Sequence, residues 1–145
     1  MENETDQDAI VDIYNLLSSD FSGNPEKLSV PERNICYIEE LDNEVNMAGF
    51  RQFFLNPSGA HAQEIVSALN EIKSVSLLRI TERAVGQFPN ALVPKDPNTR
   101  RTVVNQIEGV SNPVWESLDN EFSQYEEDIY ALMTEYARNN IGEFR

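Results

Sequence analysis

EVNMAGFRQFFLNPSG, residues 44–59, holds three phenylalanines, two glycines and two asparagines beside the most acidic part of the chain. Phe50, Phe53 and Phe54 follow helical spacing on one side, and aromatics so spaced are usually core. Asn46 is expected to cap a short helix carrying them, and Asn56-Pro57-Ser58-Gly59 is turn chemistry. Gly49 would admit a neighbouring helix close to its backbone, with the rings filling the space between neighbours. The stretch therefore reads as a joint between helices. The alternative is an aromatic-lined ligand pocket with Asn46, Gln52 and Asn56 as polar handles.

Outward from the joint, the pattern is helical nearly throughout. Thr5 with Asp8 forms an acidic capping box ahead of Ile10, Ile13, Tyr14 and Leu17. FSGNPEK, residues 21–27, breaks that helix. Ser29 and Glu32 make a second capping box with Pro31 in the first turn, and Ile35, Ile38, Leu41 and Val45 mark the buried stripe that follows. A third helix is expected from about Gly59 to Ile72, and a fourth from Ser74, burying Leu78, Ala84, Val85 and Phe88. Three prolines in residues 88–98 stop it. TRRTVVNQIEG and the segment of Trp115, Leu118 and Phe122 read as two further helices, and Ser123 with Glu126 as the capping box of a last one ending near Gly142. No run alternates with period two for long enough to make a strand. The expectation is an all-α fold, a compact single domain over residues 1–145 with about six to eight short helices, of which residues 1–28 form an N-terminal helix and loop.

The chain has 145 residues, 40% hydrophobic and 25% charged, a globular composition. Its 25 Asp and Glu against 11 Lys and Arg give a net charge of -14. Such a surface repels nucleic acid and anionic membrane and favours cationic partners. The acids are unevenly placed: residues 1–72 carry a net -11, residues 73–101 a net +4 and residues 102–145 a net -7. A fold can therefore gather acidic surface on one side and keep Arg79, Arg83, Arg100 and Arg101 elsewhere. The lone Cys36 forms no internal disulfide, and the N-terminus has neither the basic start nor the apolar run of a secretory signal, so the expected location is cytoplasmic.

Chemistry-bearing motifs are scarce. His61 is the only histidine, with Glu64 three residues on, too few ligands for a metal; it is expected to face solvent. Cys36 has no second histidine to activate it and is expected in the core or at its boundary. Neither a glycine-rich phosphate loop nor a cofactor motif occurs. No metal, cofactor or catalytic residue is assigned, and the chain is expected not to be an enzyme.

ELDNEVNMAGFRQFFLNPSG and, downstream, WESLDNEFSQYEEDIYALMTEYARNN (residues 115–140) resemble the signature blocks of the DNA-mimic protein family, small acidic bacterial proteins. The resemblance covers residues 30–140. It implies an all-helical fold and a transcription-regulating role in which a negative surface resembling DNA occupies a basic DNA-binding protein. The matching signature residues are Asn46, Gly49, Phe50, Gln52, Phe53, Phe54, Asn56, Gly59 and Trp115, expected to be mainly structural; Ala48 stands where the family often has a glycine.

Spacing tests that idea. Along the second helix Glu32, Glu39, Glu40, Asp42 and Glu44 put a carboxylate about every turn, near 5–6 Å. DNA carries a phosphate per roughly 3.4 Å of each strand. One helix reaches only about half that density, so several must align: Asp6, Asp8 and Asp12 with the second helix, or Glu116, Asp119, Glu126, Glu127 and Asp128 near the C-terminus. The expected partner is a basic, DNA-binding protein contacted by these carboxylates, with the protein itself a monomer or homodimer. An immunity-type protein neutralising a basic nuclease or other toxin fits the same charge, and a small-ligand binder or enzyme using a pocket near Phe50 is the remaining alternative.

Overall fold

The structure, a computed structural model, describes residues 4–145; the first three residues of the expected N-terminal segment lie outside it. Among the described residues are six α-helices, three of whose connections contain a 3-10 turn, and no strand: α1 (Asp6–Gly23), α2 (Val30–Leu55), α3 (Ala62–Glu71), α4 (Ser76–Val85), α5 (Pro97–Gln124) and α6 (Ile129–Asn139). The all-α expectation holds. α2 lies at the centre, packed against α1, α3, α5 and α6, while α4 closes on α3 and α5, and α1 on α6.

The first two helices start where local chemistry puts them. Asp8 N–H donates to Thr5 Oγ1 at 3.0 Å, and Thr5 N–H donates back to Asp8 Oδ2 at 3.4 Å. At α2, Glu32 N–H donates to Ser29 Oγ and Ser29 N–H to Glu32 Oε1 at 2.8 Å. Both boxes satisfy orphan first-turn amides within four residues. The stripes of Ile10 and Leu17, and of Ile35, Ile38 and Leu41, are buried as expected.

α2 does not end near Val45. It runs on to Leu55 through a break at Gly49, whose φ of 85° and ψ of 173° leave the helical region. Asn46 does not cap the second half; its side-chain amide donates back to the Asp42 carbonyl at 2.8 Å and to the Asp42 carboxylate. The cap comes from α5 instead, where Asp119 Oδ1 accepts from Phe50 N–H at 2.8 Å. A Cβ at Gly49 would lie 2.5 Å from Asp119 Oδ2, so glycine is required twice, by φ and by the approach of the capping carboxylate.

Beyond the break, Phe50, Phe53 and Phe54 are buried with no face turned to solvent. Phe54 is the hub, its ring centroid 4.8 Å from Phe88 and 5.3 Å from both Phe53 and Trp115. Trp115 donates its indole N–H to the Ala84 carbonyl at 3.0 Å, tying α5 to α4. The rings belong to the joint and are closed to solvent. At the C-terminal end of this half-helix, buried Arg100 of α5 donates Nε to Phe54 O at 2.6 Å and Nη2 to Asn56 O at 3.0 Å. Its Nη1 serves the carbonyls of Pro94 and Lys95, both at 3.0 Å. A Cβ at Gly59 would lie 2.9 Å from Arg100 Nε and 2.6 Å from Phe54 O. The second signature glycine therefore makes room for the arginine.

Other boundaries need correction. α4 begins at Ser76 and fully buries Leu77 rather than Leu78. The two helices expected across residues 99–122 are one, α5, capped by Asp96 and continuing through Pro113. Proline is tolerated because Pro113 and Gly109, whose carbonyl loses its donor, both lie on the exposed side where water replaces the bond. Ser123 and Glu126 form no capping box. Ser123 Oγ donates to Asn120 O within α5, and Asp128 caps α6 by accepting from Ala131 N–H at 3.1 Å.

Gly49→Ala is expected to lower the unfolding free energy by about 2–4 kcal/mol through the forced φ and the collision with Asp119. Arg100→Met, which leaves buried carbonyls without donors, should cost about 3–5 kcal/mol. Urea unfolding followed by circular dichroism checks both.

Candidate functional site

The carboxylates singled out in the sequence divide into three groups in space. Glu32 and Glu39 are buried and drop out of any contact surface. Besides closing its capping box, Glu32 accepts from the Arg145 backbone N–H at 3.1 Å, pinning the C-terminus to the start of α2. Glu40 bonds to His61 Nδ1 at 2.9 Å, and Glu44 Oε1 accepts from Asn56 Nδ2 at 2.9 Å. His61 does not simply face solvent: its ring packs 5.2 Å from Tyr37 and 5.8 Å from Phe21, and Glu64 pairs with Lys95 at 2.8 Å instead. Burial pushes the Cys36 thiol up to about 12, which leaves it inert at neutral pH.

The second group holds helix ends from a distance. Asp119 caps Phe50. Glu127 caps α4, receiving N–H bonds from Val75 at 2.6 Å and from Ser76 and Leu77 at 3.2 Å, and a hydroxyl bond from Ser74 at 2.6 Å. Burial alone would raise the Glu127 carboxyl, but these four donors outweigh it and hold the group below the usual carboxylate range. No local motif marks either residue, because each partner lies 50 or more positions away.

The third group meets at a groove of about 370 Å³ where the start of α1, the middle of α2 and the α5–α6 connection come together. Gln7, Asp42, Asn46, Tyr125, Glu127, Asp128 and Tyr130 are among the residues that line it. Asp42 Oδ2 accepts from the Tyr130 hydroxyl at 2.9 Å. Burial raises the Asp42 carboxyl against the hydrogen bonds from Tyr130 and Asn46. Glu39, immediately behind, is likewise raised by burial, with the Tyr130 hydroxyl and the Asp42 charge beside it. None of the ion pairs among the described residues involves a groove carboxylate. Tyr125 also borders a neighbouring hollow that holds Arg79 and Glu121, so its ring separates the groove from the basic segment. Glu116 and Glu126 are exposed but do not line the groove.

Structure thus joins parts of both alternative alignments, Asp42 of α2 from one and Glu127 and Asp128 from the other, while α1 brings Gln7 rather than Asp6, Asp8 or Asp12 to the groove. Of the signature residues, Gly49, Phe50, Phe53, Phe54, Gly59 and Trp115 build the joint; Gln52 donates to Asn56 Oδ1 at 2.8 Å; Asn46 alone reaches the groove. Among the described residues, no helix is long and apolar enough to cross a membrane, and no group of three side chains is placed to hold a metal ion.

The family model described as DMP19-like protein matches residues 26–140, and the chain belongs to that family. Neither the curated proteins nor the solved structures gave a match.

Half-buried Glu127 and buried Glu39 should respond oppositely to pH. Glu127 is depressed from its ordinary 4.5, so its stabilisation is present above that value and is lost as pH falls through the folded pKa. Glu127→Ala is expected to cost about 1–2 kcal/mol at pH 7, the scale of a lost cap, and to flatten the acid limb of stability. Glu39 is raised from 4.5, so folding grows less favourable as pH rises from there through the folded pKa. Glu39→Gln should raise the melting temperature at pH 7 by about 2–4 °C, the effect of roughly 1 kcal/mol in a chain of this size. That gain should fade at acid pH, as thermal melts across a pH series will show.

Proposed function

We propose that this member of the DMP19-like family is a non-enzymatic interaction protein that occupies a basic DNA-binding protein, such as a transcription regulator, in competition with DNA. The observation that carries the proposal is the convergence of carboxylates from α2 and from the α5–α6 connection on one groove without any arginine or lysine among its lining residues. The exposed Asp8 and Asp12 of α1 and Glu126 extend the negative charge beyond the groove. Such surfaces attract polycation-binding faces at long range and lose that attraction with added salt.

The cations support the same division. Arg100 is buried in carbonyl contacts, Arg83 is paired with Glu121, Lys95 with Glu64, Arg51 with Glu108 and Arg145 with Asp20. Much of the positive charge is thus engaged inside the molecule, which leaves the excess of carboxylates to act outward. The same chemistry serves a cytoplasmic protein that meets basic partners and is repelled by nucleic acid itself.

A basic DNA-binding protein retained on the immobilised chain from a host lysate should be released by added duplex DNA. Its affinity should fall by roughly tenfold or more as salt rises through about 0.1–0.5 M, where screening shortens to a few ångströms. Isothermal titration with the purified partner measures both. Binding unaffected by DNA and salt would remove the competition mechanism.

A further inference from the structure

The groove has features that charge alone does not require. Phe122, Tyr125 and Tyr130 contribute to its wall, Asp42 lies within it, and Asp128 stands at the start of α6. Behind the wall, Glu39 is only 2% exposed, and its Oε1 finds no hydrogen-bond donor. The single Tyr130 hydroxyl proton is committed to Asp42 at 2.9 Å, so two neighbouring carboxylates share one hydroxyl and the Asn46 amide. The unmet acceptor is Glu39 Oε1, which does not itself line the groove; a donor reaching Asp42 from the groove would free the Tyr130 hydroxyl to serve it, and a buried acceptor without a donor is costly.

We propose that this groove is a receptor for a guanidinium group: one arginine side chain of the basic partner enters it, donates to Asp42 and lies against the rings of Tyr125 and Tyr130. This rests on the proposal that the protein binds a basic partner, and it names the chemistry at the contact. A guanidinium brings five donors in a planar fork, gives up water more readily than an ammonium and stacks on aromatic faces. A volume of about 370 Å³ falls at the small end of ligand pockets, suited to one side chain rather than to a larger ligand. A metal ion fits less well, since no three ligands converge among the described residues.

The test uses the full chain with ¹³C-labelled tyrosine, titrated with N-acetyl-arginine amide, its lysine counterpart and nona-arginine. The arginine probe is expected to shift the Tyr125 and Tyr130 ring signals and the lysine probe to do so at least about fivefold more weakly. Asp42→Asn keeps an acceptor for Tyr130 but removes the charge, and should weaken the arginine probe about tenfold. Tyr125→Leu, which removes a ring and leaves the carboxylates, should weaken it about threefold to tenfold. Glu82→Gln, on α4, should leave binding unchanged. Nona-arginine binding that ignores Asp42→Asn and Tyr125→Leu and moves neither tyrosine would overturn the receptor while leaving the acidic-surface proposal standing. Failure of nona-arginine to bind at all would overturn both, and an equal response to lysine would overturn the guanidinium assignment.

Discussion

The fold depends on how one short half-helix is held at both ends. Residues 50–55 continue α2 past a glycine that breaks it, which leaves an amide at one end and carbonyls at the other without helical partners. α5 supplies both remedies: the Asp119 carboxylate at the amide end and the Arg100 guanidinium at the carbonyl end. Negative charge at a helix N-terminus and positive at its C-terminus match the helix dipole. The two glycines beside them exist because those charged groups come so close. Phe50, Phe53 and Phe54 between the clamps then meet Phe88, Trp115 and Phe122, so aromatic packing and dipole clamping orient α2, α4 and α5 together.

What was legible in the sequence was local. Thr5 with Asp8, and Ser29 with Glu32, close hydrogen-bonded boxes over three residues, and their helices carry the expected buried stripes. Glycine and phenylalanine at 49, 50, 53 and 54 announced a joint, and it is one. Illegible were the caps that cross the fold. Asp119 and Glu127 look like any exposed helical acid until Phe50 and residues 74–77 are brought to them. The Ser123–Glu126 spacing imitates a box, yet α5 continues through Ser123 and Asp128 takes the cap. Residues 99–109 and the segment of Trp115, Leu118 and Phe122 read as two helices where there is one, because the bond lost at Pro113 falls on a face that water can serve.

That distinction changes how a net charge of -14 bears on function. Carboxylates at similar helical spacing do unrelated things here: Glu32 pins a terminus, Glu39 sits buried beside a tyrosine, Glu40 and Glu44 hold neighbouring side chains, and Asp119 and Glu127 end helices. Counting acids overstates the surface available to a partner. The more informative quantity is which carboxylates lie together with no cation beside them, and that set is small and centred on Asp42.

A small set is also more discriminating than a uniform acidic coat. A coat attracts any polycation at long range and releases it as salt rises. Specificity comes from short-range features that a wrong partner leaves unsatisfied. At the groove such features coexist with the general charge: a donor deficit at Glu39, behind Asp42 and the shared Tyr130 hydroxyl, and tyrosine rings whose faces favour a flat cation. Long-range attraction would then bring many basic proteins to the surface. Only one that presents an arginine at the right place would correct the deficit, and this asymmetry lets a strongly acidic protein prefer one basic partner over the many it meets.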